Sequence, residues 1–234
     1  MKVKVNKEFD PNITVAHYLV RNRLLNGLKE YIGNLNGDLL DFGCGSKPYK
    51  SLFTVKTYTG LDFESQGHDH SNEQIDVYYD GKTIPFSNET FDSVFSSEVF
   101  EHVFNLEEII PEISRVMKKG GLILITCPFA ICEHEQPNDF ARYSSFAIKH
   151  LMEKNGFQVV AYKKLGTSLD VITQMNVTYF HNHIMPFFAK IPVFRKIIRL
   201  SVNAILNSLA NLYARIFPDG EELYLNNLIL CRKK

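Results

Sequence analysis

Apolar residues follow two different spacings along the chain, and the change between them predicts where helices and strands lie. Over the first 37 residues the apolar positions recur every four or five residues, which predicts one or two helices with a single apolar face. These positions are Val15, Leu19, Leu24, Leu28 and Ile32. After residue 37 the chain changes to short apolar runs separated by turn residues, which is typical of buried strands. The runs lie at 39–42, 58–62, 91–96, 122–127, 157–162 and 224–231.

One helical pattern lies between the third and fourth of these predicted strands. Its apolar face consists of Leu106, Ile109, Ile110, Ile113 and Met117. Lys118-Lys119-Gly120-Gly121 follows, which is typical of a basic last helical turn with a glycine stop. Strands that alternate with helices predict an α/β fold with a Rossmann-like, doubly wound and mostly parallel sheet.

Residues 167–218 interrupt this alternation and predict a helical insertion before the last strand. Six apolar residues have the 4, 3, 4, 3, 4 spacing of an amphipathic helix: Ile198, Val202, Ile205, Leu209, Leu212 and Ile216. We expect this stripe to pack against the core or a second copy of the chain. The pattern divides the chain into an N-terminal helical segment (1–37), a core (38–166), the insertion (167–218) and a last strand (219–234).

The composition is that of a packed protein and restricts the possible functions. Of the 234 residues, 45% are hydrophobic and 22% are charged, which excludes a disordered or low-complexity chain. The four cysteines form no Cys-x-x-Cys pair, so neither a zinc ribbon nor a redox dithiol is predicted. Two His-x-His pairs, at 68–70 and 181–183, lack further ligands, and we predict no metal site. The absence of a signal-peptide pattern and of a long apolar run favours a cytoplasmic location.

The formal net charge of zero is a cancellation between two parts of the chain. Residues 1–139 carry 13 Lys and Arg against 21 Asp and Glu, whereas residues 140–217 carry 10 against 2. A basic second part favours an anionic small-molecule partner, such as a glycan precursor or sugar phosphate, or an anionic membrane surface. The overall balance gives no support to a nucleic-acid partner.

The first predicted strand ends in Asp41-Phe42-Gly43-Cys44-Gly45-Ser46-Lys47-Pro48. Glycines in a strand-to-helix turn let the backbone approach a ligand at the carboxyl end of a parallel sheet. The second strand ends in Asp62, whose carboxylate can accept hydrogen bonds from both hydroxyls of a ribose. Pro48 stands where a dinucleotide site has its third glycine, and no phosphate-binding Gly-Lys-Ser/Thr follows. These features favour a nucleoside cofactor without phosphates, S-adenosyl-L-methionine.

Several further motifs occur in a fixed order after this turn. They are Gly60-Leu61-Asp62, Asp80-Gly81-Lys82-Thr83-Ile84-Pro85-Phe86, Phe91-Asp92-Ser93-Val94, Ser97-Glu98-Val99-Phe100-Glu101-His102 and Lys119-Gly120-Gly121. With these motifs the sequence resembles the class I S-adenosylmethionine-dependent methyltransferases, most strongly over 39–129. The resemblance implies a seven-stranded sheet whose antiparallel last strand lies at the edge.

The resemblance also implies which residues bind the cofactor. Asp41, Gly43, Cys44 and Gly45 would form the loop under the methionine part. Asp62 would hold the ribose hydroxyls with Phe63 near the adenine, Asp80 and Gly81 would approach the adenine edge, and Ser97 would line the substrate side. Lys47 departs from the family, which often has a small residue at that position.

Residues 127–143 resemble, more loosely, a loop of bacterial methyltransferases associated with surface polysaccharides and other glycans. Because an acceptor hydroxyl benefits from a base near neutral pH, we predict that His134 is the base and that Arg142 or Tyr143 binds the acceptor. The alternative is that His134 and Arg142 only hold the loop, with Asp139 as their partner. His102 is interpreted as a packing residue and Glu101 as a solvated or capping charge.

The leading hypothesis is therefore O-methylation of a small molecule or glycan precursor, with the helices of 167–218 as a cap over the acceptor site. A quinone or lipid methyltransferase that contacts a membrane through 184–217 is one alternative, and a non-catalytic cofactor-binding protein is another. A homodimer stays open. A nucleic-acid N6-adenine methyltransferase is disfavoured, because Ser96-Ser97-Glu98 stands where such enzymes carry an Asn/Asp-Pro-Pro-aromatic motif.

Overall fold

The computed structural model describes residues 5–63, 74–218 and 220–234. A single sheet of seven strands forms its centre. The strands are β1 (Asp38–Phe42), β2 (Thr57–Phe63), β3 (Val77–Tyr79), β4 (Phe91–Ser97), β5 (Met117–Pro128), β6 (Phe157–Leu165) and β7 (Asn226–Lys233). The helices are α1 (Tyr18–Tyr31), α2 (Leu106–Val116), α3 (Ser145–Lys154), α4 (Ser168–Tyr179) and α5 (Pro192–Ile216).

The strand order is β3-β2-β1-β4-β5-β7-β6, and β7 is the one strand of this sheet that runs antiparallel to the other six. The predicted α/β class and the mostly parallel sheet are confirmed. The expected edge position of the last strand is wrong, since β7 pairs with β5 on one side and β6 on the other. Its first six residues are all buried, as expected for a strand inside a sheet covered on both faces.

The boundary after α2 also differs from the prediction. The helix ends at Val116, and β5 begins at the next residue, so Lys118 to Gly121 belong to a strand rather than to a helix end. Lys118 Nζ lies 2.7 Å from Asp92 Oδ1 on neighbouring β4, and Met117 pairs with Phe91. Two elements had no prediction: β3 has only three residues, and α3 begins at a Ser144 cap.

Two hydrophobic cores cover the two faces of the sheet. On one face, α2 and α3 contribute Leu106, Ile109, Ile110, Ile113, Ile148 and Met152. On the other face, α1 and the 3-10 turn after it contribute Leu24, Leu25, Leu28 and Ile32. With both faces covered, the carboxyl ends of the strands are the natural place for a ligand.

The insertion packs beside α1 rather than over the carboxyl ends of the strands. Arg23 of α1 forms a two-pronged ion pair with Asp170 of α4, with nitrogen–oxygen distances of 3.0 and 2.9 Å. A π-helical turn and a short 3-10 helix connect α4 to α5. Of the described residues, none between 167 and 218 lines the cavity discussed below, so the expected cap is not formed in this arrangement.

The long helix α5 presents its polar face inward. Asn203 and Asn207 are buried, and their amides donate to backbone carbonyls of the N-terminal segment, to Thr14 at 2.8 Å and to Ile13 at 2.8 Å. The apolar stripe does not pack against the core, since Ile205 and Ile216 are about 60% exposed. Packing against a second copy of the chain stays a prediction. Within the described residues, no helix combines the length and the apolar composition needed to cross a membrane.

Candidate functional site

A cavity of about 580 Å³ opens at the carboxyl ends of β1, β2, β3 and β4, a volume suited to a small molecule. All the predicted cofactor residues line it: Asp41, Gly43, Cys44, Gly45, Asp62, Phe63, Asp80, Gly81 and Ser97. The N-terminal segment adds Phe9 and Arg21, which stack with the guanidinium carbon 4.3 Å from the ring centre. The loop after β5 adds Glu135, Asn138 and Phe140.

The turn after β1 is held against β2 by its own backbone. The N–H groups of Gly43 and Cys44 donate to the carbonyl of Leu61, at 2.9 and 3.1 Å. Gly43 has φ +72°, and a Cβ there would lie 2.4 Å from both methyl groups of Val99. Gly45 N–H donates to Asp62 Oδ2 at 2.7 Å, so the turn and the acid at the end of β2 form one unit.

Asp41 is a buried carboxyl at the floor of the cavity. Tyr58 Oη–H donates to its Oδ2 at 2.5 Å. Burial raises the pKa of Asp41 to about 7, and the neighbouring Asp62 carboxylate acts in the same direction.

Lys47, the departure from the family pattern, is turned away from the cavity. It adopts φ +53°, a conformation that glycine adopts more readily, and its side chain is buried. Its Nζ lies 2.6 Å from Asp76 Oδ2, which also accepts from Gly60 N–H at 2.6 Å. Lys47 thus links the turn after β1 to Asp76, just before β3, and does not line the cavity.

The wall at the end of β3 combines an aromatic ring with an acidic turn. Phe63 is exposed toward the cavity and meets Tyr79 edge to face at 6.0 Å. Asp80 Oδ1 accepts from the N–H groups of Lys82 and Thr83, at 2.9 and 2.8 Å. A Cβ on Gly81 would lie 2.8 Å from the Phe63 ring, so this glycine lets the ring close the wall.

The opposite side of the cavity begins at the end of β4. Ser97 Oγ lies 2.8 Å from Thr126 Oγ1. Glu98 has φ +57°, and its Oε2 accepts from Asn226 Nδ2 at 2.6 Å. Burial raises the pKa of Glu98 to about 7. This side is polar and acidic, in contrast to the aromatic wall.

The predicted acceptor residues His134, Arg142 and Tyr143 lie next to the cavity but do not line it. Both terminal nitrogens of Arg142 donate to the Asp139 carboxylate, at 2.5 and 2.6 Å. The backbone N–H of His134 donates to the same carboxylate at 2.9 Å. The Arg142 hydrogen bonds hold the pKa of Asp139 far below its usual range. Tyr143 packs against the core, and burial raises its pKa to about 12. This geometry favours the loop-holding alternative for Arg142.

Glu101 and His102 correct the sequence interpretation. Glu101 is 0% exposed rather than solvated, and neither of its carboxylate oxygens has a hydrogen-bond partner among the described residues. His102 lines the cavity, with Nδ1 2.6 Å from the carbonyl oxygen of Asn138. Their position directly after β4, at the functional edge of the sheet, was the signal that could have identified them.

These residues fit an adenosine cofactor that carries no phosphate. The acid at the end of β2, the exposed ring of Phe63 and the glycines at 43 and 81 line one continuous space. Replacing either glycine would put a Cβ below 3 Å from a neighbouring side chain. The floor carries a buried carboxyl group suited to a cationic ligand. The second histidine pair, at 181–183, lies on the insertion, and the pair at 68–70 lies outside the described residues.

A protein-family model matches the part of the chain that runs from β1 into β5. Residues 40–125 match a family model described as a methyltransferase domain. The biotin biosynthesis bifunctional protein BioHC of Teredinibacter turnerae is 25% identical over 201 residues, which cover 71% of this chain. The chain spans about a third of the length of that relative, 34%.

Two solved structures share the fold. Phosphoethanolamine N-methyltransferase 2 of Haemonchus contortus, solved with S-adenosyl-L-methionine, has a TM-score of 0.54 at 17% identity, covering 99% of this chain and 60% of its own. The cyclase SpnF has a TM-score of 0.55 at 18% identity, covering 95% and 85%. The same fold thus serves different reactions, and the reaction must be argued from the site.

Proposed function

We propose that this chain, whose residues 40–125 match a methyltransferase-domain model, is a class I S-adenosylmethionine-dependent methyltransferase that methylates a hydroxyl group of a small molecule or glycan precursor. The bound cofactor would supply an electrophilic methyl group on a sulfonium. The observation that carries this proposal is the continuity of the cavity, which joins the residues that fit the cofactor to the polar side formed by Glu98, His102 and Asn138.

In this proposal, residues on one side of the cavity bind the cofactor and residues on the other side bind the acceptor. Asp62 would hold the ribose hydroxyls, and Phe63 would cover the adenine. The buried acid Asp41 favours a positive charge nearby. On the other side, His102, Glu135 and Asn138 would bind and orient the acceptor, and Phe140 would exclude water. Since transfer from a sulfonium needs alignment above all, this positioning is the main contribution of the chain.

The first test is calorimetric binding of S-adenosyl-L-methionine. Asp62→Asn should weaken binding about 10- to 100-fold, because hydrogen bonds to a charged group contribute roughly 1.5–3 kcal/mol. The exposed Asp10→Asn is the matched control and should bind like the wild type. Binding that is absent in the wild type, or unaffected by Asp62→Asn, would overturn the assignment of the site.

The second test is a radiolabelled-methyl transfer screen over nucleotide sugars, glycan precursors and quinones that carry hydroxyls. We expect a labelled product with a new methyl ether, from which alkali does not release the label. Cofactor binding without transfer to any acceptor would favour the non-catalytic alternative. We place the reaction in the cytoplasm as part of the proposal, since all four cysteines are free thiols.

A second candidate, methylation of a lipid-linked acceptor at a membrane surface, is favoured by the outward face of the insertion. Eleven large apolar residues are exposed there: Phe187, Ile191, Val193, Phe194, Ile197, Ile205, Leu209, Leu212, Tyr213, Ile216 and Phe217. Residues 171–217 carry five basic side chains and no acidic one. Apolar and basic residues together are typical of helices that lie in an anionic lipid surface. Two copies would bring like charges together, which disfavours a dimer through this face.

Vesicle co-sedimentation tests this candidate. The chain should bind phosphatidylglycerol vesicles more strongly than phosphatidylcholine vesicles, and less strongly at high salt. Combined Phe187→Ser, Val193→Ser and Ile197→Ser should abolish binding, whereas Phe146→Ser, equally exposed on α3, should not. Equal loss of vesicle binding in the triple variant and in Phe146→Ser, or no vesicle binding by the wild type, would overturn this candidate. If sedimentation velocity shows a wild-type dimer that the triple variant does not form, the face belongs to a second copy of the chain.

A further inference from the structure

Glu101, His102 and His134 converge at the polar side of the cavity. One potential ligand atom of each lies within 4.8 Å of those of the other two. His102 Nε2 is 3.6 Å from Glu101 Oε1, and the two imidazole rings meet edge to face with centroids 4.9 Å apart. One carboxylate and two imidazoles form one of the ligand sets of catalytic zinc sites, which keep a further position open.

The Glu101 carboxylate is the least satisfied polar group of this cluster. It is completely buried, and neither oxygen accepts a hydrogen bond from the described residues. A buried carboxylate without a partner is strongly unfavourable, so the site is suited to a cation. Glu98, close enough to interact with Glu101, also has one unpartnered oxygen.

The two nearby arginines, Arg142 and Arg21, make their closest contacts with other groups. Arg142 is gripped by Asp139, with the shortest contact at 2.5 Å, so this pair is neutral overall. Arg21 is stacked on Phe9. Neither arginine therefore donates a hydrogen bond to the Glu101 carboxylate, whose two oxygens have no partner among the described residues.

Each imidazole has one ring nitrogen next to a backbone carbonyl oxygen. His102 Nδ1 faces the carbonyl oxygen of Asn138 at 2.6 Å, which leaves the lone pair on Nε2, the nitrogen that faces Glu101. His134 Nδ1 faces the carbonyl oxygen of Cys132 at 3.2 Å and Asp139 at 3.4 Å, against one donor, Arg142, at 3.3 Å. Ring nitrogens held by carbonyl or carboxylate oxygens are the usual second contact of metal-binding histidines.

We propose that Glu101, His102 and His134 bind one divalent transition-metal ion of the zinc type. Glu135, whose Oε2 is 3.7 Å from His102 Nε2, lies on the cavity side of the cluster and can complete the set. Sequence spacing could not show this site, because the loop after β5 brings His134 to the end of β4 across 32 positions. If the function proposed above holds, the open position of the ion would take an oxygen of the acceptor.

Titration of the metal-free protein with Co²⁺, followed by visible absorption, tests the site, with Zn²⁺ competition to measure affinity. The wild type should bind one equivalent with the intense bands of a low-coordinate cobalt ion, and Zn²⁺ should displace it. Glu101→Gln and His102→Ala should each weaken binding about 100-fold or more, since even outer-shell changes weaken metal sites 10- to 100-fold.

The controls are chosen from groups that could bind cobalt elsewhere. Exposed His150→Ala and His183→Ala, and exposed Cys132→Ser, should bind cobalt like the wild type. Calorimetry with S-adenosyl-L-methionine on every variant reports whether the fold and the cofactor site are intact. His134→Ala, on a loop, provides a ligand variant that leaves the buried core unchanged.

The outcomes separate this proposal from the function itself. Absence of the cobalt bands, or bands that survive Glu101→Gln and His134→Ala, would overturn the metal site even if cofactor binding and methyl transfer persist. Conversely, cobalt binding in a protein that binds no cofactor would leave the metal site standing and overturn the proposed function.

Discussion

Gly43 occupies a position where only glycine fits, because its φ is +72° and a Cβ would lie 2.4 Å from two methyl groups of Val99. Gly43→Ala should lower the free energy of unfolding by roughly 2–3 kcal/mol and weaken cofactor binding with it. Gly33→Ala is the control, since a Cβ there meets nothing within 4 Å. Urea denaturation measures both, and equal stability of the two variants would contradict the steric argument.

The buried Asp41 predicts a pH dependence of stability. Its pKa is about 7 in the folded chain, against about 3.9 when unfolded. The folded state therefore binds more protons between these values, and stability falls as the pH rises through 7. Asp41→Asn removes this dependence. Between pH 5 and pH 9 its free energy of unfolding, measured relative to that of the wild type, should therefore increase by about 3 kcal/mol at most. Urea denaturation across that range would show a constant difference if Asp41 titrated normally.

At the scale of elements, a buried ion pair is one of the contacts that join the insertion to the N-terminal segment. Asp170 is buried, and its carboxylate accepts two hydrogen bonds from the Arg23 guanidinium. It also accepts from the backbone N–H of Thr167 at 3.0 Å, which caps α4. Asp170→Ala should lower the free energy of unfolding by about 3 kcal/mol, since it removes the carboxylate from a partly buried guanidinium and leaves it with amide contacts such as those to Asn22 and Asn211.

The exposed pair of Lys163 and Glu30, 2.6 Å apart, provides the comparison. Lys163→Ala should lower stability by less than about 1 kcal/mol, because water screens exposed charges. Chemical denaturation of both variants tests the difference. A similar small effect of Asp170→Ala would mean that α4 and α5 are attached by their other contacts.

The elements that were predicted correctly depend on local pattern. Strands such as β1 and β4 are short apolar runs between turn residues, and the glycines and acids at their ends are adjacent in sequence. The missed elements lack such signals: β3 has three residues, and α3 has an apolar face of only a few positions. For the outward stripe of α5, packing against the core was wrong and packing against a second copy is untested, because periodicity identifies an apolar face but not what covers it.

At the scale of the whole molecule, the acidic part contains the cavity and the basic part contains the exposed helix. Saturation of the cavity by S-adenosyl-L-methionine at about 100 times Kd should stabilise the fold by roughly 2.7 kcal/mol. For a chain of this size that corresponds to a rise in Tm of about 5–10 °C. Differential scanning fluorimetry measures it, and Asp62→Asn at the same concentration should show a smaller rise. An identical rise in both would place the ligand outside the cavity.

The sequence by itself determined the α/β class, the glycine turn after β1 and the acid opposite it, because these depend on neighbouring residues and on strand ends that always meet at one edge of a parallel sheet. Only the tertiary structure decided which polar groups are buried together. The central position of β7 depends on its pairing with β5, about 100 positions earlier, and the inward face of α5 depends on Asn207 bonding to Ile13 across 194 positions. The burial of Glu101 beside His134 has the same origin: sequence periodicity carries no information on contacts that the fold makes between distant segments.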